Sequence, residues 1–231
     1  MLFGRPCRGA MSALIARQHY EHEESITPNL RWSLDYIVEA LRHMPAKSIP
    51  ITPCTSKPVV VYTDASDEPG RTRVGGMVLV PGAKPAVFVY DVSPKIRPLL
   101  GPQTAVINQA ELLAGPLLLF TAPDLLRGRD VIWFVDNANA EAALVKAGSP
   151  TCTMCYLALL ASASLAGLNI KAWFDHVPSK DNPADALSRD GLQDADVKPK
   201  IENGEWEVLD VVEPPTARLS FADLWKQCKG H

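Results

Sequence analysis

Two short apolar runs that each end near an aspartate constrain the fold of this sequence most strongly. Residues 59–62 (Val-Val-Val-Tyr) precede Asp64, and residues 131–135 (Val-Ile-Trp-Phe-Val) precede Asp136. β-Branched and aromatic residues without alternation are typical of a strand that is buried on both faces. A carboxylate at the end of such a strand is costly unless water, a donor or a cation meets it. Each aspartate is therefore a candidate metal ligand, although a single aspartate in this position more often caps the following turn or helix.

Length and composition predict one main domain with extensions. The chain has 231 residues, of which 47% are hydrophobic and 21% charged, so it can bury one sizeable core. A formal net charge of -3 excludes a globally basic nucleic-acid-binding protein, and any contact with phosphates must be local. Basic residues outnumber acidic ones between Arg71 and Arg129, whereas acids dominate beyond Gly191. The middle of the chain is therefore the better candidate for phosphate contacts.

The cysteine usage predicts an intracellular protein with free thiols. Five cysteines, an odd number at irregular spacing without a secretory signal, are typical of the cytoplasm or nucleus rather than of a secreted protein. Cys152 and Cys155 form one CxxC pair, but no second Cys or His pair follows at zinc-ribbon spacing. We therefore interpret them as residues of a helix face or of the core. No apolar stretch is long enough to span a membrane, and we expect no membrane contact.

The order of the elements predicts an α/β domain over residues 57–190. A helix is predicted over 104–120, with Glu111 inside its apolar face and a kink or short break near Gly115, because Pro116 follows. Strands are predicted near 59–63, 74–80, 86–92, 131–135 and 169–177, and further helices near 138–147, 151–166 and 183–189.

Segments on either side of this domain are predicted to be extensions. Residues 1–56 combine a helix with a proline-rich linker, and one face of that helix carries Leu30, Leu34, Ile37, Val38 and Leu41. Residues 191–231 are predicted to be an acidic, irregular tail. Within that tail Asn203-Gly204 is typical of a small hairpin turn, and residues 219–227 favour one last short helix.

Four carboxylates at element ends or on a core-facing helix carry a family resemblance. The segments are YTDAS with Asp64, NQAELLA with Glu111, FVDNANA with Asp136, and HVPSKDNPADALSR with Asp185. In this order they resemble the four acidic motifs of the ribonuclease H domain of retroelement reverse transcriptases. The last motif is similar to its form in tyrosine-recombinase retrotransposons and pararetroviruses.

The resemblance covers residues 57–190 and implies a fold. The expected architecture is an α/β ribonuclease H-like fold, with a five-stranded mixed sheet of three antiparallel and then two parallel strands, flanked by helices. The opening segment FGRPCRGA looks like the end of a polymerase thumb or connection. Residues 1–56 are therefore expected to be a weakly anchored remnant of such a connection. The alternative is an integral part of a self-sufficient nuclease, which requires the apolar helix face to be buried against the ribonuclease H-like core.

The resemblance also implies a site for two Mg²⁺ ions, with Mn²⁺ as a substitute. Asp64 would bridge both ions, Glu111 and Asp136 would hold one, and Asp185 would complete the other. Chemistry gives an independent reason, because two divalent ions roughly 4 Å apart assist in-line hydrolysis of a phosphodiester, and Mg²⁺ prefers oxygen ligands. Taken singly, Glu111 could pair with a cation, Asp136 could cap its helix, and Asp185 could lie in a helix's first turn.

Further predicted site residues surround these acids. His176 is implied as the mobile residue that assists water activation or product release, unless Asp175 fills that place or His176 merely lies at the surface. Asn108 and Gln109 resemble the amides that touch the minor groove and the 2'-hydroxyls of RNA, with an exposed helix face as the alternative. The predicted substrate-binding residues are Ser66, Asn108, Gln109 and Asn137.

The function implied by the resemblance is metal-dependent hydrolysis of the RNA strand of RNA–DNA hybrids. The sequence shows no basic helical protrusion between Ala147 and Thr151. Substrate affinity is therefore expected to depend on an attached or separate reverse transcriptase polymerase domain or on the basic patch from Arg71 to Arg129. A strand-transfer enzyme of the same fold is one alternative, but its acids usually follow the order Asp, Asp, Glu, and here Glu111 comes second. A catalytically silent nucleic-acid-binding or connection-like module is the other alternative, although such modules lose acids and all four are present here.

Overall fold

The computed structural model describes residues 7–19, 25–44, 57–216 and residue 223. Most of the predicted proline-rich linker and the predicted helix over 219–227, apart from Asp223, lie outside the described residues.

A six-stranded mixed sheet forms the centre of the molecule. Its strands are β1 (Val59–Glu68), β2 (Arg71–Leu79), β3 (Ala86–Asp91), β4 (Asp130–Val135), β5 (Lys171–His176) and β6 (Glu207–Val208). They lie in the order β5-β4-β1-β2-β3-β6. β1, β2 and β3 form an antiparallel meander, whereas β4 is parallel to β1 and β5 is parallel to β4. The predicted mixed sheet is confirmed, but the predicted count of five strands is wrong.

The sixth strand lies in the segment that we expected to be irregular. A helix over Val197–Glu202 ends at Asn203, and Gly204 then reverses the chain with a φ of 69°. The backbone N–H of Glu207 donates to Pro85 O at 2.9 Å, which makes β6 a parallel neighbour of β3. The expected hairpin around Asn203-Gly204 is therefore wrong, because the free edge of β3 pairs with this segment instead.

Helices cover both faces of the sheet, which confirms the predicted layering. They are α1 (Arg8–His19), α2 (Pro28–His43), α3 (Ile107–Thr121), α4 (Pro123–Leu126), α5 (Ala138–Lys146), α6 (Cys152–Gly167), α7 (Asp185–Arg189) and α8 (Val197–Glu202). The main core lies between one face of the sheet and helices α3, α5 and α6. On the other face Met77 and Val87 of the sheet contact Leu187 of α7 and Val197 of α8.

The helix that carries Glu111 is continuous. α3 runs from Ile107 to Thr121 with Pro116 inside it, so the expected break near Gly115 is wrong. Every residue from 109 to 119 is buried, and we attribute the continuity to this burial, which outweighs the backbone hydrogen bond that proline cannot donate.

The two N-terminal helices pack against α6 in a second apolar cluster. Tyr36, Ile37 and Ala40 of α2 are buried there with Leu159 and Leu160 of α6. The Oγ1 of Thr27 accepts the backbone N–H of Leu30 at 3.3 Å and so caps α2. The predicted apolar face is thus divided: Leu30 and Ile37 are buried, whereas Leu34, Val38 and Leu41 are exposed.

Cys152 and Cys155 both lie on α6, where the sequence placed them on a helix, and neither they nor Cys7 form a disulfide. The remaining two cysteines lie outside the described residues. Among the helices within the described ranges, none is both long and apolar enough to cross a membrane.

Candidate metal centre

Three carboxylates from three different elements meet at one edge of the sheet. Asp64 of β1, Glu111 of α3 and Asp136 after β4 each place an oxygen within 4.8 Å of the others. β1 and β4 are parallel neighbours with Thr63 opposite Val135, so the residues that follow, Asp64 and Asp136, lie side by side. β4 ends before Asp136, whereas β1 continues to Glu68, so the predicted end of the first strand at Asp64 is wrong. α3 packs across β1 and brings Glu111 to that edge.

Two contacts with β1 hold Glu111 in a buried position. Asp67 Oδ2 of β1 accepts the backbone N–H of Val106 at 3.0 Å, which fixes the start of α3, and the Ala65 backbone hydrogen-bonds to the Glu111 carboxyl group. Glu111 is only 4% exposed, and its Oε2 is buried without a hydrogen-bond partner. Burial, and then the negative charges of Asp64 and Asp136, raise the pKa of Glu111 to about 10.

Asp64, like Glu111, is buried. It is 2% exposed, and the Ser188 hydroxyl of α7 donates a hydrogen bond to its Oδ2. Burial raises the pKa of Asp64 to about 7; the negative charges of Asp136 and Asp185 act in the same direction, and the hydrogen bond from Ser188 opposes them.

The donor set fits a divalent metal ion. Carboxylate oxygens are the ligands that Mg²⁺ prefers, and the Glu111 Oε2 is a buried acceptor that a cation would satisfy. Holding three acids within 4.8 Å of one another, two of them buried, costs free energy unless protons or a cation balance their charge.

The Asp136 carboxylate is not used as a helix cap, because Asn137 caps α5. Asn137, not Asp136, is the N-cap of α5, and its Oδ1 accepts the backbone N–H groups of Asn139 and Ala140 at 3.0 Å each. The simpler reading of Asp136 as a helix cap is therefore wrong.

Asp185 lies beside the cluster rather than within it. It is the first residue of α7, and its Oδ1 accepts the Nε of Arg189 at 2.9 Å. Its negative charge nevertheless reaches Asp64, where it is one of the causes of the raised pKa. The sequence-based role of Asp185 as a metal ligand stays a prediction.

His176 and Asp175 lie at the exposed rim of the site. The Nε2 of His176 is 3.1 Å from the backbone oxygen of Asp136, and since a carbonyl only accepts, this contact places the proton on Nε2. Asp175 Oδ1 accepts the backbone N–H of His176 at 2.9 Å. The imidazole rather than the Asp175 carboxylate therefore faces the chain segment that carries Asp136.

The predicted substrate-binding residues divide into two groups. Asn108 Oδ1 accepts Nδ2 of Asn137 at 2.9 Å and Nδ2 of Asn139 at 3.3 Å, so three amides gather where α3 and α5 begin. Gln109 is buried, and Ser66 donates to the backbone oxygen of Ser188 at 2.6 Å. These last two residues face the protein rather than an open surface.

Two arginines of the basic segment between Arg71 and Arg129 make hydrogen bonds and ion pairs within the protein. Arg71 and Arg73 donate to the backbone oxygen of Arg189 at 3.1 and 3.3 Å, and they pair with Glu68 and Asp91. These two guanidinium groups hold the end of α7, which leaves them less suited to phosphate contacts than the sequence indicated.

Three residues near the centre were missed as functional residues. Ser188 contacts Asp64, Asn182 donates from Nδ2 to Thr63 O at 3.1 Å, and Gly75 lies opposite Asp64 in the β1–β2 register. Ser188 and Asn182 belong to the quoted motif around Asp185, but their partners are distant in sequence. The Gly75-Gly76 pair within a strand was the usable signal, because glycine there marks a close approach of another backbone.

No protein-family model and no curated protein matches this sequence. Among solved structures, the chain is similar to RNase H1 from the halophilic archaeon Halobacterium salinarum NRC-1. The two share 23% sequence identity with a TM-score of 0.44, over 59% of this chain and 98% of that chain. Function is therefore inferred below from the chain's own carboxylate cluster and motifs.

Proposed function

We propose that this chain is a divalent-metal-dependent ribonuclease H that hydrolyses the RNA strand of RNA–DNA hybrids. The observation that carries the proposal is the cluster of Asp64 and Glu111, both buried, with the half-buried Asp136, brought to one sheet edge from three segments that are distant in sequence. The antiparallel meander followed by two parallel strands supports it, because this is the arrangement that the four acidic motifs imply.

The residues that would hold Mg²⁺ or Mn²⁺ are Asp64, Glu111 and Asp136, with Asp185 adjacent on α7. A bound ion supplies the positive charge that activates water and stabilises the developing charge of the phosphodiester. The chain's own contribution is to fix three carboxylates on a sheet and a buried helix. His176 is exposed and contacts the Asp136 carbonyl through Nε2, so its Nδ1 is placed to exchange a proton at the rim of the site.

Recognition of the hybrid is assigned to the amide cluster beside the acids. Asn108 and Asn137 begin α3 and α5 next to Glu111 and Asp136, and amides both donate to and accept from sugar hydroxyl groups. In this proposal Asn108 reads the 2'-hydroxyl, which only RNA offers. A reverse transcriptase origin accounts for the exposed apolar residues Leu34, Val38 and Leu41 of α2, where an attached polymerase domain would pack.

The proposal is tested with the purified chain and three labelled duplexes of one sequence: RNA–DNA, DNA–DNA and RNA–RNA. Only the RNA strand of the hybrid is expected to be cut, with Mg²⁺ or Mn²⁺ and not with EDTA. Asp136→Asn should lower the rate by at least about 100-fold, because losing one ligand removes several kcal/mol of charge stabilisation. The matched control is Asp124→Asn, which alters an aspartate side chain that is 83% exposed on α4. Equal cutting of DNA–DNA, or full activity of Asp136→Asn, would contradict the proposal.

A further inference from the structure

We propose that Ser188 is a positioning residue of the metal centre, whose hydroxyl holds the Asp64 carboxylate in the orientation that binds a divalent ion. The inference rests on the proposed function and adds a residue to it. Ser188 is fully buried, and its Oγ donates to Asp64 Oδ2 across 124 residues of sequence. For a carboxylate as buried as Asp64, such a contact fixes an orientation that would otherwise change by rotation.

The Ser188 hydroxyl can donate one hydrogen bond, and two acceptors, Asp64 Oδ2 and the backbone oxygen of Asp185, lie within hydrogen-bond distance. Its Oγ also lies 2.9 Å from the backbone oxygen of Asp185. An ionised carboxylate is a stronger acceptor than a peptide carbonyl, so the proton goes to Asp64 when that group is charged. The hydrogen bond from α7, rather than contact with solvent, then sets the direction in which the remaining lone pairs of Asp64 point.

The backbone of α7 is pressed onto the sheet beside Asp64, which makes the contact rigid. A Cβ atom on Gly75 would lie 2.7 Å from both the Leu187 Cβ and the Ser188 backbone nitrogen, so α7 touches the strand directly. Ser66 Oγ donates to the Ser188 backbone oxygen at 2.6 Å. Asn182 fixes the preceding loop, donating to Thr63 O at 3.1 Å and accepting the Ala184 N–H at 3.1 Å.

Within α7, Ser188 is the residue whose side chain reaches the cluster. The Asp185 carboxylate pairs with Arg189 at the surface, with side-chain exposures of 31% and 62%. The direct hydrogen bond between α7 and the three clustered acids is therefore made by the Ser188 hydroxyl. Its loss should weaken metal binding without removing a ligand.

The test compares Ser188→Ala with Ser164→Ala in the full chain. Ser164 is an equally buried helical serine, and its Oγ donates to Leu160 O at 2.9 Å on α6, away from the cluster. Mn²⁺ affinity is measured by calorimetry, together with the rise in Tm that Mg²⁺ produces. Ser188→Ala should bind Mn²⁺ roughly tenfold more weakly, as is common when a group that orients a metal ligand is lost, whereas Ser164→Ala should match the wild type.

Ser188→Cys separates the hydrogen bond from packing, since it keeps a side chain of similar size with only a weak donor. It should share the metal-binding defect while its unfolding in EDTA remains cooperative. Wild-type Mn²⁺ affinity in both Ser188 variants would overturn the positioning role and leave the proposed function standing. If the wild-type chain binds no Mn²⁺ at all, the proposed function fails and the inference fails with it. A defect in both Ser188→Ala and Ser164→Ala would show a general loss of packing and would also overturn the inference.

Discussion

Asp64 and Glu111 retain protons that exposed carboxylates lose, because burial raises the pKa of Asp64 to about 7 and that of Glu111 to about 10. A carboxyl group whose pKa is higher in the folded state favours folding less as it ionises. Without metal, its unfavourable effect is absent below the unfolded pKa and grows as the pH rises toward the folded pKa. A divalent cation at the same place reverses the effect, since it attracts the charged form.

We therefore predict that stability in EDTA falls as the pH rises from about 4 to about 7. The ordinary pKa of 3.8 and the folded pKa of about 7 for Asp64 set this window. Glu111, whose pKa is raised from 4.5 to about 10, adds to the fall within the window and continues it above pH 7. Because one pKa unit corresponds to about 1.4 kcal/mol, the loss from Asp64 alone should be on the order of 4 kcal/mol. Urea unfolding at several pH values measures it, and saturating Mg²⁺ should reduce the slope. A stability that is independent of pH in EDTA would contradict the burial argument.

Glu111→Gln should separate stability from activity. The amide keeps the shape of the side chain but carries no charge, so the Tm in EDTA should rise while hybrid cleavage falls by at least about 100-fold. The stabilisation by Mg²⁺ should shrink in the same variant. The control is Glu141→Gln on α5, a glutamate for which neither change is expected. A Glu111→Gln chain that is less stable than the wild type in EDTA would argue for a structural role of the carboxylate.

At the scale of elements, α7 lies against β2 at Gly75, a residue without a side chain. Gly75 faces Leu187 and Ser188, whereas Gly115 of α3 has ordinary van der Waals space, with Leu144 Cδ2 at 3.6 Å from an added Cβ. The lack of a side chain therefore has a different consequence at each of these two glycines. One permits a backbone contact that positions the site, and the other leaves room for a methyl group.

This difference predicts opposite outcomes for two alanine substitutions. Gly75→Ala should cost about 1–3 kcal/mol of stability, because the Cβ would displace α7, and should also lower Mg²⁺ affinity by moving Ser188 away from Asp64. Gly115→Ala should be neutral or stabilising by up to about 1 kcal/mol, since alanine is the better helix former. Thermal unfolding and Mn²⁺ calorimetry of both variants test this. Equal stability of the two would show that α7 adjusts without cost.

Elements with strong local patterns were predictable, and those set by distant partners were not. The runs around Val61 and Trp133 indicated buried strands because their residues favour β-structure without any partner. β6 has only Glu207 and Val208, both exposed, so its pairing depends on the edge of β3 and leaves no pattern in the sequence. The acids themselves were recognisable from their motifs, whereas the contact of Ser188 with Asp64 exists only after the chain has folded.

At the scale of the whole molecule, the N-terminal helices complete the surface of α6. Leu159, Leu160 and Ala163 of α6 are buried by Tyr36 and Ile37 of α2 and by neighbouring residues of α1. The same helix α6 contributes its other face to the main core. This packing favours an integral role for α1 and α2, in contrast to the weakly anchored remnant expected from the sequence, and the division at residue 56 remains a prediction.

A chain that starts at Ser56 should therefore lose stability. Exposing the α6 residues costs about 1.5–3 kcal/mol for each large side chain, so the free energy of unfolding should fall by on the order of 3–6 kcal/mol. Urea unfolding of the shortened and full chains measures this, and Mg²⁺-dependent hybrid cleavage should persist wherever the shortened chain stays folded. The matched substitutions in the full chain are Ile37→Ala and Leu41→Ala, whose side chains are 7% and 56% exposed. Ile37→Ala should cost about 2–4 kcal/mol and Leu41→Ala less than about 0.5 kcal/mol. An unchanged stability of the shortened chain, together with a negligible effect of Ile37→Ala, would show that α2 is a loosely attached appendage whose natural contacts are made with another domain.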